Sequence, residues 1–154
     1  MKKVNENSLW FRILHTPSLV VGAVLLILMV ALLFLQPVLT SYDANANDFS
    51  AILQPPSGTH WLGTDSFGRD LFTRMLEGGR VSLRIGVETV LLTTIFGTLI
   101  ALLGGYYEKI DTVIMRVMDV MMAFPQLLIA MVLAAVFGNS ISGVTLALTI
   151  VYVP

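Results

Sequence analysis

Charge is scarce in this chain and absent from its end. The 35 residues from 120 to 154 hold no Asp, Glu, Lys or Arg, and only 12% of the 154 residues are charged. A soluble domain carries about 25%. There is no cysteine, which excludes disulfides, thiolate metal sites and a cysteine nucleophile. The net charge of −1 excludes the basic face that nucleic acid requires. No P-loop, HExxH or G-x-S-x-G elbow occurs. The two histidines, His15 and His60, have no spaced partner, and each reads as an interfacial or loop residue.

Apolar sequence is what remains. Leu19 to Leu35 is charge-free and almost wholly aliphatic, Thr89 to Leu103 is charge-free, and residues 120–154 could cross more than once, turning at Gly138-Asn139-Ser140. A crossing helix needs ~20 apolar residues. The chain therefore reads as an all-α, polytopic membrane helix bundle with about four spans. The first run is too long for a signal-peptide core, and Ala44-Asn45-Ala46 lies too far behind it for cleavage. Lys2, Lys3 and Arg12 precede it with Glu6 as the only acid, which places the N-terminus in the cytoplasm. The apolar last residues read as the front part of a longer protein.

One long polar segment separates the first two spans. Thr40 to Thr59 is loop-like, with Asp43, Asn45, Asn47, Asp48, Pro55-Pro56 and Gly58. Beyond it, Phe67, Leu71, Phe72, Met75 and Leu76 recur at helical spacing, opposite Arg69, Asp70, Arg74 and Glu77. This predicts a short amphipathic helix capped by Asp65 or Ser66 and ended by Gly78-Gly79. Asp70 and Arg74 would pair at i,i+4. Such a helix lies on the membrane surface, or packs on a partner or over a cavity mouth.

Arg80, Arg84 and Glu88 share one face at the start of the second span. They belong at the interface or against protein, because charge at mid-bilayer is costly. Gly97, Ala101 and Gly105 form a small-xxx-small row suited to close helix packing. The third span holds Asp119, expected near one boundary and anchored by Arg116, with an ion or substrate path as the alternative. Pro125 breaks the helix ladder near Met121. Met115, Met118 and Met122 line one face, which favours adaptable packing.

His60-Trp61-Leu62-Gly63-Thr64-Asp65-Ser66-Phe67-Gly68-Arg69-Asp70 resembles the H-x-L-G-T-D-x-x-G-R-D stretch of C-type permeases of dipeptide, oligopeptide and nickel ABC importers. The likeness continues through Arg74, Gly79-Arg80-Val81-Ser82-Leu83 and Gly86. It runs on to Gly104-Gly105-Tyr106-Tyr107, Asp111, Met115-Arg116-Val117-Met118-Asp119 and Ala123-Phe124-Pro125. It covers about Trp10 to Pro154, in order and at matching spacing.

The resemblance implies a type I ABC importer permease in the bacterial or archaeal cell (inner) membrane, multi-pass, and truncated here. Partners would be a second permease, two cytoplasmic ATPases, an extracytoplasmic binding protein and the lipid bilayer. ATP and magnesium would bind those ATPases, with no cofactor or metal in this chain and no enzymatic role for it. The coupling loop and last helices of such permeases would follow Pro154. The implied layout is 1–40 for the cytoplasmic N-terminus and first span, 41–79 for an extracytoplasmic loop with the amphipathic helix, and 80–154 for the start of the permease core. The loop arginines oppose this orientation under the positive-inside rule, but the first helix usually dominates. The alternatives are a non-transporting scaffold or inactive permease, and a membrane enzyme, for which only Glu88 and Asp119 are candidates.

Overall fold

The computed structural model describes residues 16–138 and 140–154. The basic N-terminal flank, Glu6, Trp10, His15 and the turn residue Asn139 lie outside the described residues. The elements are α1 (Pro17–Phe34), α2 (Gln36–Leu39), a 3-10 turn (Phe49–Ala51), α3 (Leu71–Tyr106), α4 (Glu108–Met122), α5 (Gln126–Phe137) and α6 (Ile141–Tyr152). Among the described residues no strand forms, only an isolated bridge between Thr64 and Asp70. The all-α expectation holds.

The chain divides into two compact units, Met1–Arg80 and Val81–Pro154. In the first, α1 is a run of aliphatic side chains almost wholly exposed, with a mean hydropathy of 2.8. Exposure of that kind is stable only in lipid or against protein. Gly79 lets the first turns of α3 close on Leu33, and Arg80 Nη1 donates to Gln36 Oε1 at 2.7 Å. The segment from Thr40 to Asp70 joins α2 to α3 as a corner whose first residue, Thr40, is bonded to Thr73 at 2.7 Å.

In the second unit α5 and α6 pack as a hairpin. Gly138 turns it with φ +89°, a left-handed value that glycine adopts without strain. Ser140 caps α6 by accepting from the Gly143 N–H at 3.1 Å. Gly143 carries no Cβ because the Gly138 and Phe137 carbonyls occupy that space.

Among the described residues two helices are long and apolar enough to cross a membrane, α1 and α3, with a third crossing if α4 and α5 count as one span. The expected count of four is not confirmed. The 12-residue α6 is ~18 Å long, short of the ~30 Å hydrocarbon slab. The third run is bent by 95° between α4 and α5. Pro125 sits at that break and leads α5 with φ −58° and ψ 117°.

The separate amphipathic helix is corrected. Helix begins at Leu71, not Asp65, and passes through Gly78-Gly79 to Tyr106. Gly68 at φ +73° blocks an earlier start, and Gly79 is a packing contact rather than a stop. The amphipathic pattern belongs to α4, where Ile110, Ile114, Val117, Met118 and Met121 share a stripe.

Candidate functional site

The corner from Asp48 to Arg74 carries the motif residues. Gly63 and Gly68 both have positive φ, +76° and +73°. Each also lies against backbone, Gly63 on the Gln54 carbonyl and Gly68 on the Asp48 carbonyl. Any Cβ would strain the conformation and collide with main chain. Between them Asp65 builds an Asx turn, its Oδ1 accepting from the N–H groups of Phe67 (2.8 Å) and Arg69 (3.0 Å). Its Oδ2 takes Arg69 Nε at 2.8 Å and faces Arg74 Nε at 3.6 Å. Arg69 lies over the Phe67 ring, 4.7 Å from its centroid. Arg74 Nη1 also donates to the Ala44 carbonyl at 3.1 Å. Thr64, buried, donates to the Ala51 carbonyl and accepts from the Gln54 N–H at 2.8 Å.

Asp70 closes the corner and starts α3. Its Oδ2 accepts from the Thr73 N–H at 2.8 Å, the helix-cap arrangement, and from Thr73 Oγ1–H at 2.7 Å. Its Oδ1 lies 3.0 Å from His60 Nδ1. An ionised carboxylate only accepts, so Nδ1 carries the proton of that bond. The Thr73 hydroxyl is committed to Asp70, so Thr40 Oγ1–H donates to it in turn, at 2.7 Å. A relay thus runs from Thr40 through Thr73 to Asp70 and on to His60, whose ring stacks 4.8 Å from Tyr42. Thr73 is 0% exposed and Asp70 4%.

This relay corrects two expectations. Asp70 pairs with His60 and Thr73, whereas Arg74 turns to Asp65 and Ala44. His60 does lie in the loop, but it is buried and partnered rather than without a partner. Ten residues separate it from Asp70, and only the fold joins them. The readable signal was Gly68, which forces the helix to begin after it and leaves Asp70 as the cap.

Burial works against ionisation of Asp70, but the Thr73 hydroxyl and N–H and the His60 ring outweigh it and hold the carboxyl below its ordinary range. Asp65 is likewise lowered; desolvation opposes, and the Phe67 and Arg69 N–H groups and the Arg69 guanidinium prevail. A depressed folded-state pKa stabilises above the unfolded value, ~3.9 for Asp, and the gain disappears as pH falls through the lower folded value. The corner should therefore loosen in acid below about pH 4. Hydrogen exchange at the Thr73 and Arg69 amides should accelerate there, and Asp70→Asn should make the Thr73 amide exchange faster already at neutral pH.

The remaining predicted residues are scattered. Arg80 bonds Gln36 and faces Glu77 at 3.5 Å, and Ser82 is exposed. Arg84 holds Glu88 at 2.7 Å, and Thr145 Oγ1 donates to Glu88 Oε2 at 3.4 Å. In the small-residue row Gly97 faces another helix end, where an added Cβ would lie 3.5 Å from the Val153 carbonyl oxygen, while Ala101 is exposed and Gly105 faces open space. Gly104 is the close-packed glycine instead, with Asp111 beside it. Among the described residues no ion pair joins Arg116 to Asp119, and both are exposed, as is Phe124. Also among the described residues, no three acidic or histidine side chains converge to hold a metal.

Beside the relay lies a cleft of about 370 Å³, lined by Leu39, Thr40, Tyr42, Trp61, Asp70 and Phe72 among others. Trp61 and Phe72 meet at 5.0 Å between ring centroids. A polar network through Thr40, Thr73 and Asp70 joins the start of α3 to the end of α2.

A family model described as the N-terminal TM domain of oligopeptide transport permease C matches residues 8–56. A putative peptide transport system permease protein of Brucella suis is 42% identical over 143 residues, covering 93% of this chain and 48% of that protein. A probable D,D-dipeptide transport system permease of Escherichia coli K12 is 39% identical over 153 residues, 99% of this chain and 51% of its own length. A dipeptide transport system permease of Alkalihalophilus pseudofirmus is 41% identical over 136 residues, 88% of this chain and 45% of its own length. The chain spans about half the length of the curated relatives it matches. The resemblance read from the corner motif is borne out across nearly the whole chain.

Proposed function

We propose, for a chain that is a relative of the C-type permeases of peptide transport systems, that it forms part of the membrane channel of an ABC importer for peptides or a related small solute. One observation carries this reading: the match to peptide permeases runs over 88% to 99% of the chain. The apolar α1 and α3 suit it, and so does a corner that orders the start of a long helix without offering a catalytic group. ATP hydrolysis belongs to separate subunits, since this sequence has no P-loop. The expected partners are a second permease, two ATPases using ATP and magnesium, and an extracytoplasmic binding protein. The expected site is the cytoplasmic membrane of a bacterium or archaeon, crossed several times.

Within that reading Gly63, Thr64, Asp65, Gly68, Arg69, Asp70 and Arg74 are an architectural latch, because their polar atoms bond within the corner and to the first turn of α3. Affinity purification of the tagged chain from its native membrane should bring down a second permease and P-loop ATPases, and disrupting its gene should abolish uptake of labelled peptide. Purification without ATPases, with uptake intact, would leave a scaffold as the reading.

The orientation carries its own test. With a cytoplasmic N-terminus, residues 41–79 lie outside. Ser50→Cys puts a single thiol at an exposed corner position in a chain that has none. It should react with an impermeant maleimide on intact cells, whereas labelling only after permeabilisation reverses the topology.

A further inference from the structure

The corner between Thr40 and Asp70 is turned inside out. Its buried side chains larger than alanine are all polar: His60, Thr64 and Asp70. Its large apolar side chains face outward. Phe49 and Leu53 are each 70% exposed, Trp61 is 55% exposed, and Tyr42, Ile52, Leu62 and Phe67 are close to half. Single exposed apolar residues are ordinary on a soluble surface. Seven on a 31-residue corner that turns Asp65, Arg69 and Asp70 inward describe a neighbour other than bulk water.

Connectivity says where that neighbour is. The apolar α1 ends at Phe34, and Thr40, the first residue after α2, is bonded to Thr73 in the first turn of α3. From Phe34 to Thr40 the rise is at most ~9 Å in helix. The headgroup layer outside the hydrocarbon is of similar depth, about 5–8 Å on each side. The near side of the corner is thus tied to the membrane boundary by α1. There Leu39, the last residue of α2, lines one cleft with Tyr42, Trp61 and Phe72. Tryptophan and tyrosine, apolar in the ring and polar at the tip, are the residues of membrane interfaces.

We propose that the corner is a lipid-interface element, with Trp61, Tyr42 and the flanking apolar side chains seated in the headgroup–acyl boundary of the leaflet at the end of α1. A bilayer suits this surface better than a docked protein. Asp65, Arg69, Asp70 and Arg74 make hydrogen bonds inside the corner, and its exposed charges are two acids, Asp43 and Asp48, each already bonded to a backbone N–H two residues on, so the outer face carries little charge to orient a protein partner. The interfacial seat also explains the inversion: the network stays shielded, and the rings lose contact with water. This placement is independent of the transport reading.

The test uses the full chain reconstituted in phosphatidylcholine vesicles. The chain has two tryptophans, so Trp10→Phe leaves Trp61 as the only one. Lipids brominated near the glycerol end of the acyl chain should quench its emission about two-fold, lipids brominated near the chain ends much less, and aqueous iodide hardly at all. Quenching by iodide without quenching by brominated lipid would place Trp61 in water and overturn the proposal. Shielding from both quenchers would mean that protein covers it, and would overturn the proposal equally. Should the Trp10→Phe chain fail to insert, a spin label on Leu53→Cys gives the same decision. Collisions with oxygen should exceed those with a water-soluble nickel chelate, and the reverse order, or low values for both, refutes the placement.

Discussion

Gly68→Ala should open the corner, and it is the most damaging single methyl this unit can receive. The residue holds φ +73°, where a Cβ costs about 1–2 kcal/mol. The added carbon also runs into the carbonyl, carbonyl carbon and Cα of Asp48. These are main-chain atoms, so no rotamer change relieves the contact. Asp48 N donates to the Phe67 carbonyl at 3.1 Å, and displacing one strand of the corner breaks that bond too. The combined loss should reach about 3 kcal/mol or more, a fall in melting temperature on the order of 10 °C. Differential scanning fluorimetry in detergent measures it. Two controls isolate the cause. Gly58→Ala has no neighbour within 4 Å and should be neutral. Gly79→Ala meets only the Leu33 side chain, which can turn away, so its effect should be small. Equal melting of Gly68→Ala and Gly58→Ala would refute the tightness assigned to this turn.

Pro125→Ala should straighten the break between α4 and α5. The proline ring cannot donate to the preceding turn and clashes with it in a continuous helix. The helices consequently part by 95°, and Phe124 N reaches Met121 O at a long 3.4 Å. Alanine restores the donor and removes the clash. In this cysteine-free chain, Val113→Cys and Val136→Cys place spin labels on two exposed sites. Their backbone separation should grow from about 25 Å at the right-angle bend to about 34 Å in a straight helix, at 1.5 Å per residue. An unchanged distance would show that packing around the break, not the proline, holds the angle. In an assembled transporter the same substitution should reduce peptide uptake while expression and assembly persist. Wild-type uptake and substrate-stimulated ATPase activity would remove the bend from the mechanism.

The helical class, the membrane setting and the motif region were legible because each rests on local pattern. Apolar length marks a span without reference to the rest of the chain. Pro125 announces a break through backbone geometry alone. The boundaries of α3 were not legible. Phe67 to Leu76 has helical spacing in its first turn too, but Gly68 must take a left-handed conformation to let Asp48 approach. Gly78-Gly79 looks like a stop until Leu33 is placed against it.

Composition and spacing alone determined that this is an all-helical membrane chain and that its most patterned stretch resembles a permease motif. Tertiary structure decided what the motif residues touch. His60 finds Asp70 across ten residues, Thr40 finds Thr73 across 33, and Arg74 leaves its helical neighbour for Asp65. A buried carboxylate needs donors wherever the fold can supply them, and those donors lie at separations that no helical period encodes.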